Sequence, residues 1–221
     1  MPRPHPIGKQ PRVVAVLTSL ESLARFAALK IKPCHMAEIR LDHIGPESDW
    51  APHCRPIEAE GTPVILTLRA AYEGGKWKGE EQERLKILEG ALPDVSAVDV
   101  ELKSGLAPKL KGRGAQIIVS HHDFAGTPKL EQLRDTVRKS FDQGDVAKIS
   151  TMINSPDDVA VLEKLLSEKW PGPLCVIGMG ELGVKTRVEF PQRGSCLTYG
   201  YFDIPAAPGQ LAAATLMERL G

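Results

Sequence analysis

The chain has 221 residues, with 28 Lys and Arg against 28 Asp and Glu and a formal net charge of +0. That length fits one large domain or two small ones and can bury a substantial core. With 42% hydrophobic and 25% charged residues it reads as an ordinary globular protein. The charge balance gives no reason to expect nucleic acid or an anionic membrane as partner, and no apolar run reaches the roughly 18 residues of a bilayer span.

The chain opens with "MPRPHPIGKQP", polar and proline-rich. It lacks the apolar segment of a secretory signal and reads as a loose tail over 1–11, ahead of a single domain over 12–221. Cys34, Cys54, Cys175 and Cys196 form no CxxC pair, which suits free buried thiols in a reducing, cytoplasmic setting.

From Arg12 onward, short apolar runs alternate with amphipathic segments. The candidate strands are "RVVAVLT", "HMAEIRL", "PVILTLR", "AVDVEL", "AQIIVSH", "DVAKIST", "PLCVIGM" and a weaker "SCLTYG". Helical patterns lie between them in "SLESLARFAALK", "GEEQERLKILEGAL", "TPKLEQLRDTVRKSFDQG" and "SPDDVAVLEKLLSEKW", and a last one, "APGQLAAATLMERL", closes the chain. Ser155 followed by Pro156 is a helix start, and Gly144 a helix stop. "GPESDWAPHCRPIEAE" has no clear period and leaves room only for a short helix. Strands alternating with helices predict parallel βαβ units, and this many units at this length predict an α/β (β/α)8 TIM barrel. A doubly wound open sheet is the competing arrangement, but no GxGxxG follows the first strand.

Strands of a parallel barrel are buried on both faces and should be apolar. Here Glu38 and Arg40, Arg69, Asp99 and Glu101, His121 and His122, Lys148 and Met179 fall toward successive strand ends, with Glu73 just beyond the third. The C-terminal face of the strands is where such barrels carry active sites. Lys148, inside an apolar strand, is the sharpest residue. It is either a nucleophilic amine or a lysine that snorkels to the rim or pairs with Glu101. Neighbouring strand residues point to opposite faces, so if Ser120 faces inward, His122 does too and His121 faces out. A histidine there could serve Lys148 as acid and base, with Glu73 fixing its tautomer. Arg69 and Arg187 are candidate anion grips. "GMGELGVKTR" is too loose for a phosphate loop. "AAPGQL" is an ordinary helix start or a lid carrying Gln210.

Six of these pieces, "EIRLD", "TLRAAYEGG", "SHHDF", "AKI", "MGELGVKTR" and "APGQ", occur in the order found in one family. In them the chain resembles the type I 3-dehydroquinate dehydratases. The resemblance implies a metal- and cofactor-free, usually dimeric barrel lyase of the shikimate pathway (chorismate and aromatic amino acid biosynthesis) that dehydrates 3-dehydroquinate. By position it makes Lys148 the Schiff-base lysine, His122 the general acid and base, and Glu73 the carboxylate that orients it. Glu38, Arg40, Arg69, Arg187, Gln210, Met179 and Phe124 become substrate-binding residues. Two positions depart from the family: Ala206 stands where a lid serine is common, and Tyr199 where a phenylalanine is usual. Two rival readings remain. One is a metal enzyme using His35, Glu38, His43 and a member of the histidine pair, disfavoured because His35 and Glu38 differ in parity. The other is a non-catalytic binding relative.

Overall fold

A computed structural model describes residues 6–205 and 209–221. Strands β1 (Arg12–Leu17), β2 (Met36–Arg40), β3 (Val64–Thr67), β4 (Ala97–Glu101), β5 (Gln116–Asp123), β6 (Val146–Met152), β7 (Leu174–Met179) and β8 (Leu197–Tyr201) form one 8-stranded sheet. Each pairs with its sequence neighbour in parallel, and β1 also pairs with β8. Only β7 and β8 lack a ladder, and that seam is closed by separate hydrogen bonds. Cys196 N–H donates to Leu174 O at 2.9 Å, and Val176 N–H donates to Ser195 Oγ at 2.9 Å. The result is the expected single-domain (β/α)8 barrel.

The outer layer comprises α1 (Leu20–Ala27), α2 (Leu41–Ile44), α3 (Ala51–Ala59), α4 (Glu81–Ala91), α5 (Ala107–Leu110), α6 (Leu130–Gln143), α7 (Pro156–Ser167), α8 (Thr186–Gln192) and α9 (Ala213–Leu220). Local chemistry sets several of these boundaries. Ser19 Oγ accepts from Ser22 N–H at the start of α1, and Asp158 accepts from Ser155 N–H at the start of α7. The aperiodic stretch after β2 holds α3, a full helix despite Pro52 and Pro56, because Cys54 and Ile57 are both buried beneath it. α8 was not expected; its anchor is Thr186, whose hydroxyl accepts from Gly178 N–H and donates to Gly183 O.

Two apolar layers hold the barrel. Leu23, Phe26, Leu66, Val98 and Ile117 belong to a large cluster between strands and helices. Inside, Val14, Met36, Ile65, Ala97, Ile118, Val146 and Leu197 fill the N-terminal half of the ring. Ile7 belongs to this inner cluster, which corrects the expectation of a loose tail over 1–11. It is buried, its N–H donates to Gln116 Oε1 at 2.9 Å, and its carbonyl accepts from Gln116 Nε2 at 2.8 Å. An apolar side chain preceding the first strand thus plugs the open bottom of the barrel.

Candidate active site

Above the apolar filling, side chains of the same inward parity turn polar. Glu38, Thr67, Asp99, Ser120 and Lys148 are all buried. Of these, Glu38 and Lys148 reach a cavity of about 270 Å³ at the C-terminal face of the strands, whose lining also includes Arg40, Arg69, His122 and Glu73. Met179, Arg187, Gln210, Phe124 and Tyr199 line it as well. One cavity therefore gathers every residue assigned to the site in the sequence. Gln210 lies just beyond the gap in the described residues; Ala206 falls inside that gap, outside the described residues.

Lys148 does not snorkel, and it does not pair with Glu101. Its Nζ lies 2.8 Å from Asp99 Oδ2 and 4.1 Å from the Tyr199 ring centroid. Asp99 Oδ1 accepts from Ser120 Oγ at 2.6 Å and faces Arg69 Nη2 at 2.8 Å. Burial alone would push the Asp99 carboxyl up; Arg69 and Lys148 outweigh it and hold Asp99 far below the usual carboxylate range. The sheet register explains the choice of partner. Glu101 pairs with Ser120, and Ser120 with Lys148, so by ladder alone Glu101 is level with Lys148. Barrel strands tilt by about 36° to the axis, which drops the same-height neighbour toward the start of β4. That neighbour is Asp99, a residue to which the sequence reading gave no role. A carboxylate of inward parity within an apolar strand was the signal for it.

Arg69 is largely spoken for. Its Nη1 donates to Ser120 Oγ at 2.6 Å and Glu101 Oε1 at 3.2 Å, in addition to the Asp99 contact. Its guanidinium therefore braces the floor as well as touching the cavity.

His122 faces inward and His121 does not line the cavity. Glu73 Oε2 accepts from His122 Nδ1 at 2.9 Å and from the His122 backbone N–H at 3.1 Å. An ionised carboxylate accepting at Nδ1 places the proton there and leaves the Nε2 lone pair available. Burial, with Arg69 and Lys148 nearby, holds the imidazole well below its ordinary value. Burial pushes Glu73 up to about 7 against the pull of Arg69. Phe124, half-exposed, stacks on the His122 ring with centroids 6.2 Å apart.

The remaining polar walls are anchored individually. Glu38 Oε1 accepts from Thr67 Oγ1 at 2.8 Å. Arg40 is held in a fork by Asp42, with both contacts at 2.9 Å. Arg187 donates to the carbonyls of Tyr199 and Gly209, each at 3.1 Å, and burial lowers its guanidinium from its usual value. Among the described residues no carboxylate forms an ion pair with it, which leaves a buried cation suited to an incoming anion. Ser150 and Met152, of the same parity as Lys148, also line the cavity and were missed, although that parity was readable.

The rival metal set does not assemble. His35 Nδ1 accepts from Val13 N–H at 3.0 Å near the N-terminal end of β1, away from Glu38 in the cavity. His43 Nε2 lies 3.7 Å from Asp42. Among the described residues no three His, Cys, Asp or Glu side chains are placed to share a metal ion. No helix among them is long and apolar enough to cross a membrane.

Comparison with known proteins identifies the family of the chain. The family model described as Type I 3-dehydroquinase matches residues 13–221. A 3-dehydroquinate dehydratase of Methanocella arvoryzae is 34% identical over 215 residues, covering 95% of each chain. One from Methanocaldococcus jannaschii is 36% identical, over 90% of this chain and 92% of its own. The crystal structure of the 3-dehydroquinate dehydratase from Aquifex aeolicus superposes with a TM-score of 0.80 at 28% identity, covering 93% of this chain and 95% of that one. The chain belongs to the type I 3-dehydroquinase family.

Proposed function

We propose that this protein is a lyase that converts 3-dehydroquinate to 3-dehydroshikimate through an imine on Lys148. The observation that carries the reading is a buried lysine amine on the cavity floor, 2.8 Å from one carboxylate, in a cavity it shares with an oriented histidine. In its neutral form Lys148 adds to the substrate ketone, and loss of water gives an iminium. The iminium withdraws electrons from the adjacent carbon, and His122 Nε2 removes a proton there to give an enamine. The enamine expels the β-hydroxyl, which leaves as water with the proton His122 now carries. Water then hydrolyses the product imine and returns Lys148.

Arg187 receives the substrate carboxylate. Glu38, Arg40, Arg69 and Gln210 bind its hydroxyls, and Met179 and Phe124 form apolar walls. Neither cofactor nor metal takes part in this scheme, so activity is expected to survive exhaustive chelation. The same reading places the enzyme in the cytoplasmic shikimate pathway and gives it a second copy of the chain as partner, which light scattering in solution would check.

Borohydride reduction in the presence of 3-dehydroquinate, followed by peptide mass spectrometry, tests the core of the scheme. The expected result is an adduct on Lys148 and no turnover in Lys148→Ala. Turnover retained in Lys148→Ala would overturn it.

A further inference from the structure

Arg84 has no part in the cavity, yet it is a fully buried cation on α4. Its Nη1 lies 2.6 Å from Glu101 Oε2 and donates to Leu68 O at 3.1 Å, while its Nε donates to Glu81 Oε2 at 3.0 Å. Glu81, 40% exposed, is the solvent end of the array. Inward from Arg84 the charges alternate without a gap. Glu101 Oε1 faces Arg69 at 3.2 Å, Arg69 faces Asp99 at 2.8 Å, and Asp99 faces Lys148 at 2.8 Å.

We propose that Arg84 is a positioning residue for Lys148, acting through this line of ion pairs to govern how firmly Asp99 holds the lysine's proton. Arg69 is shared by two carboxylates. Glu101 has Arg84 as a second cation, so its claim on Arg69 is diluted, and Arg69 sits closer to Asp99 than to Glu101. Asp99 thereby carries two cations, and Lys148 is not its sole counter-ion. Without Arg84, Glu101 draws Arg69 toward itself, Asp99 leans on Lys148, and the ammonium form is favoured. The other groups facing Lys148 or the Asp99–Arg69 pair are unaltered in these variants: Glu38 on β2, Glu73 beyond β3, His122 on β5, Cys175 on β7 and the Tyr199 ring on β8, while Tyr72 faces Arg84 and Glu101.

This inference rests on the imine chemistry proposed above, and the test separates the two. The measurement is the initial rate of borohydride trapping by 3-dehydroquinate against pH, in wild type, Arg84→Met and the double variant Arg84→Met/Glu101→Gln, with folding followed by circular dichroism. In Arg84→Met the profile is expected to move to higher pH by about one unit. In the double variant, which removes the unpaired carboxylate as well, it is expected to return toward wild type. A merely structural arginine would lower the folded fraction and leave the profile of the folded protein in place. An unshifted profile in folded Arg84→Met, or a double variant displaced as far as the single one, would overturn the proposal. Should Arg84→Met fail to fold, Glu81→Gln leaves Arg84 to Glu101 alone, which frees Arg69 further for Asp99. A smaller shift in the opposite direction, to lower pH, is then expected, and an unshifted profile or one moved to higher pH in Glu81→Gln would overturn the proposal. Failure of the wild type to trap any adduct would instead overturn the imine reading.

Discussion

Glu73 Oε2 receives two N–H groups of one residue, the ring and the backbone of His122. That double grip fixes both the tautomer and the ring's direction. With Glu73 pushed up to about 7, acidification through neutral pH removes the ionised acceptor. The rate of elimination is therefore expected to fall below about pH 7, and this limb should disappear from the kcat profile of Glu73→Gln. On the proposed scheme, in which His122 transfers the proton at carbon, His122→Ala should still trap substrate on Lys148 but lose on the order of 10²–10⁴ in turnover. The pH dependence of stability follows from the same burial. His122 is lowered, so it contributes stability above its unfolded value of 6.5, and that contribution is lost as pH falls below it. Glu73 is raised, so its contribution is present below 4.5 and lost as pH rises through about 7. Urea midpoints between pH 4 and 8 check both: His122→Gln should lose the acid-side decline, and Glu73→Gln the decline near neutrality.

The segment between β3 and α4 shows how a loop becomes a rigid part of a site. Trp77 N–H donates to Arg69 O, Ala71 N–H to Trp77 O, and Gly75 N–H to Ala70 O, so the loop folds back on its own start. A Cβ on Gly75 would stand 2.0 Å from Arg69 O, a backbone atom that cannot yield. Gly75→Ala is expected to cost about 1–3 kcal/mol, measurable by urea denaturation, and to lower kcat as well, because Arg69 and Glu73 flank the clash. At this scale the sequence was legible where chemistry is local. Ser155–Pro156 and Gly144 marked helix ends correctly because caps involve neighbours in the chain. α8 escaped notice because it is short, contains Pro191 and has no apolar period to read.

Over the whole molecule, stability and chemistry occupy opposite ends of one ring. Ile7 plugs the bottom among Val14, Met36 and Ile118. Ile7→Ala is expected to cost about 2–5 kcal/mol in chemical denaturation with kcat unchanged, since the cavity lies at the other face. Asp99→Asn acts at both levels. It leaves Lys148 and Arg69 buried beside a neutral group, and is expected to cost about 3–5 kcal/mol together with most of the activity.

The sequence by itself determined the strand and helix alternation and, with Ser120 facing inward, the inward parity of His122 over His121. Both depend only on periodicities along the chain, two for strands and 3.6 for helices. The resemblance to the family, not periodicity, assigned Glu73, Arg187, Gln210, Met179 and Phe124 to the site. The tertiary structure alone decided that Lys148 pairs with Asp99 rather than Glu101, that Arg69 braces the floor, and that Ile7 is part of the core. Those contacts join residues far apart in the chain, and strand tilt, not spacing, sets which of two carboxylates on β4 comes level with the lysine on β6.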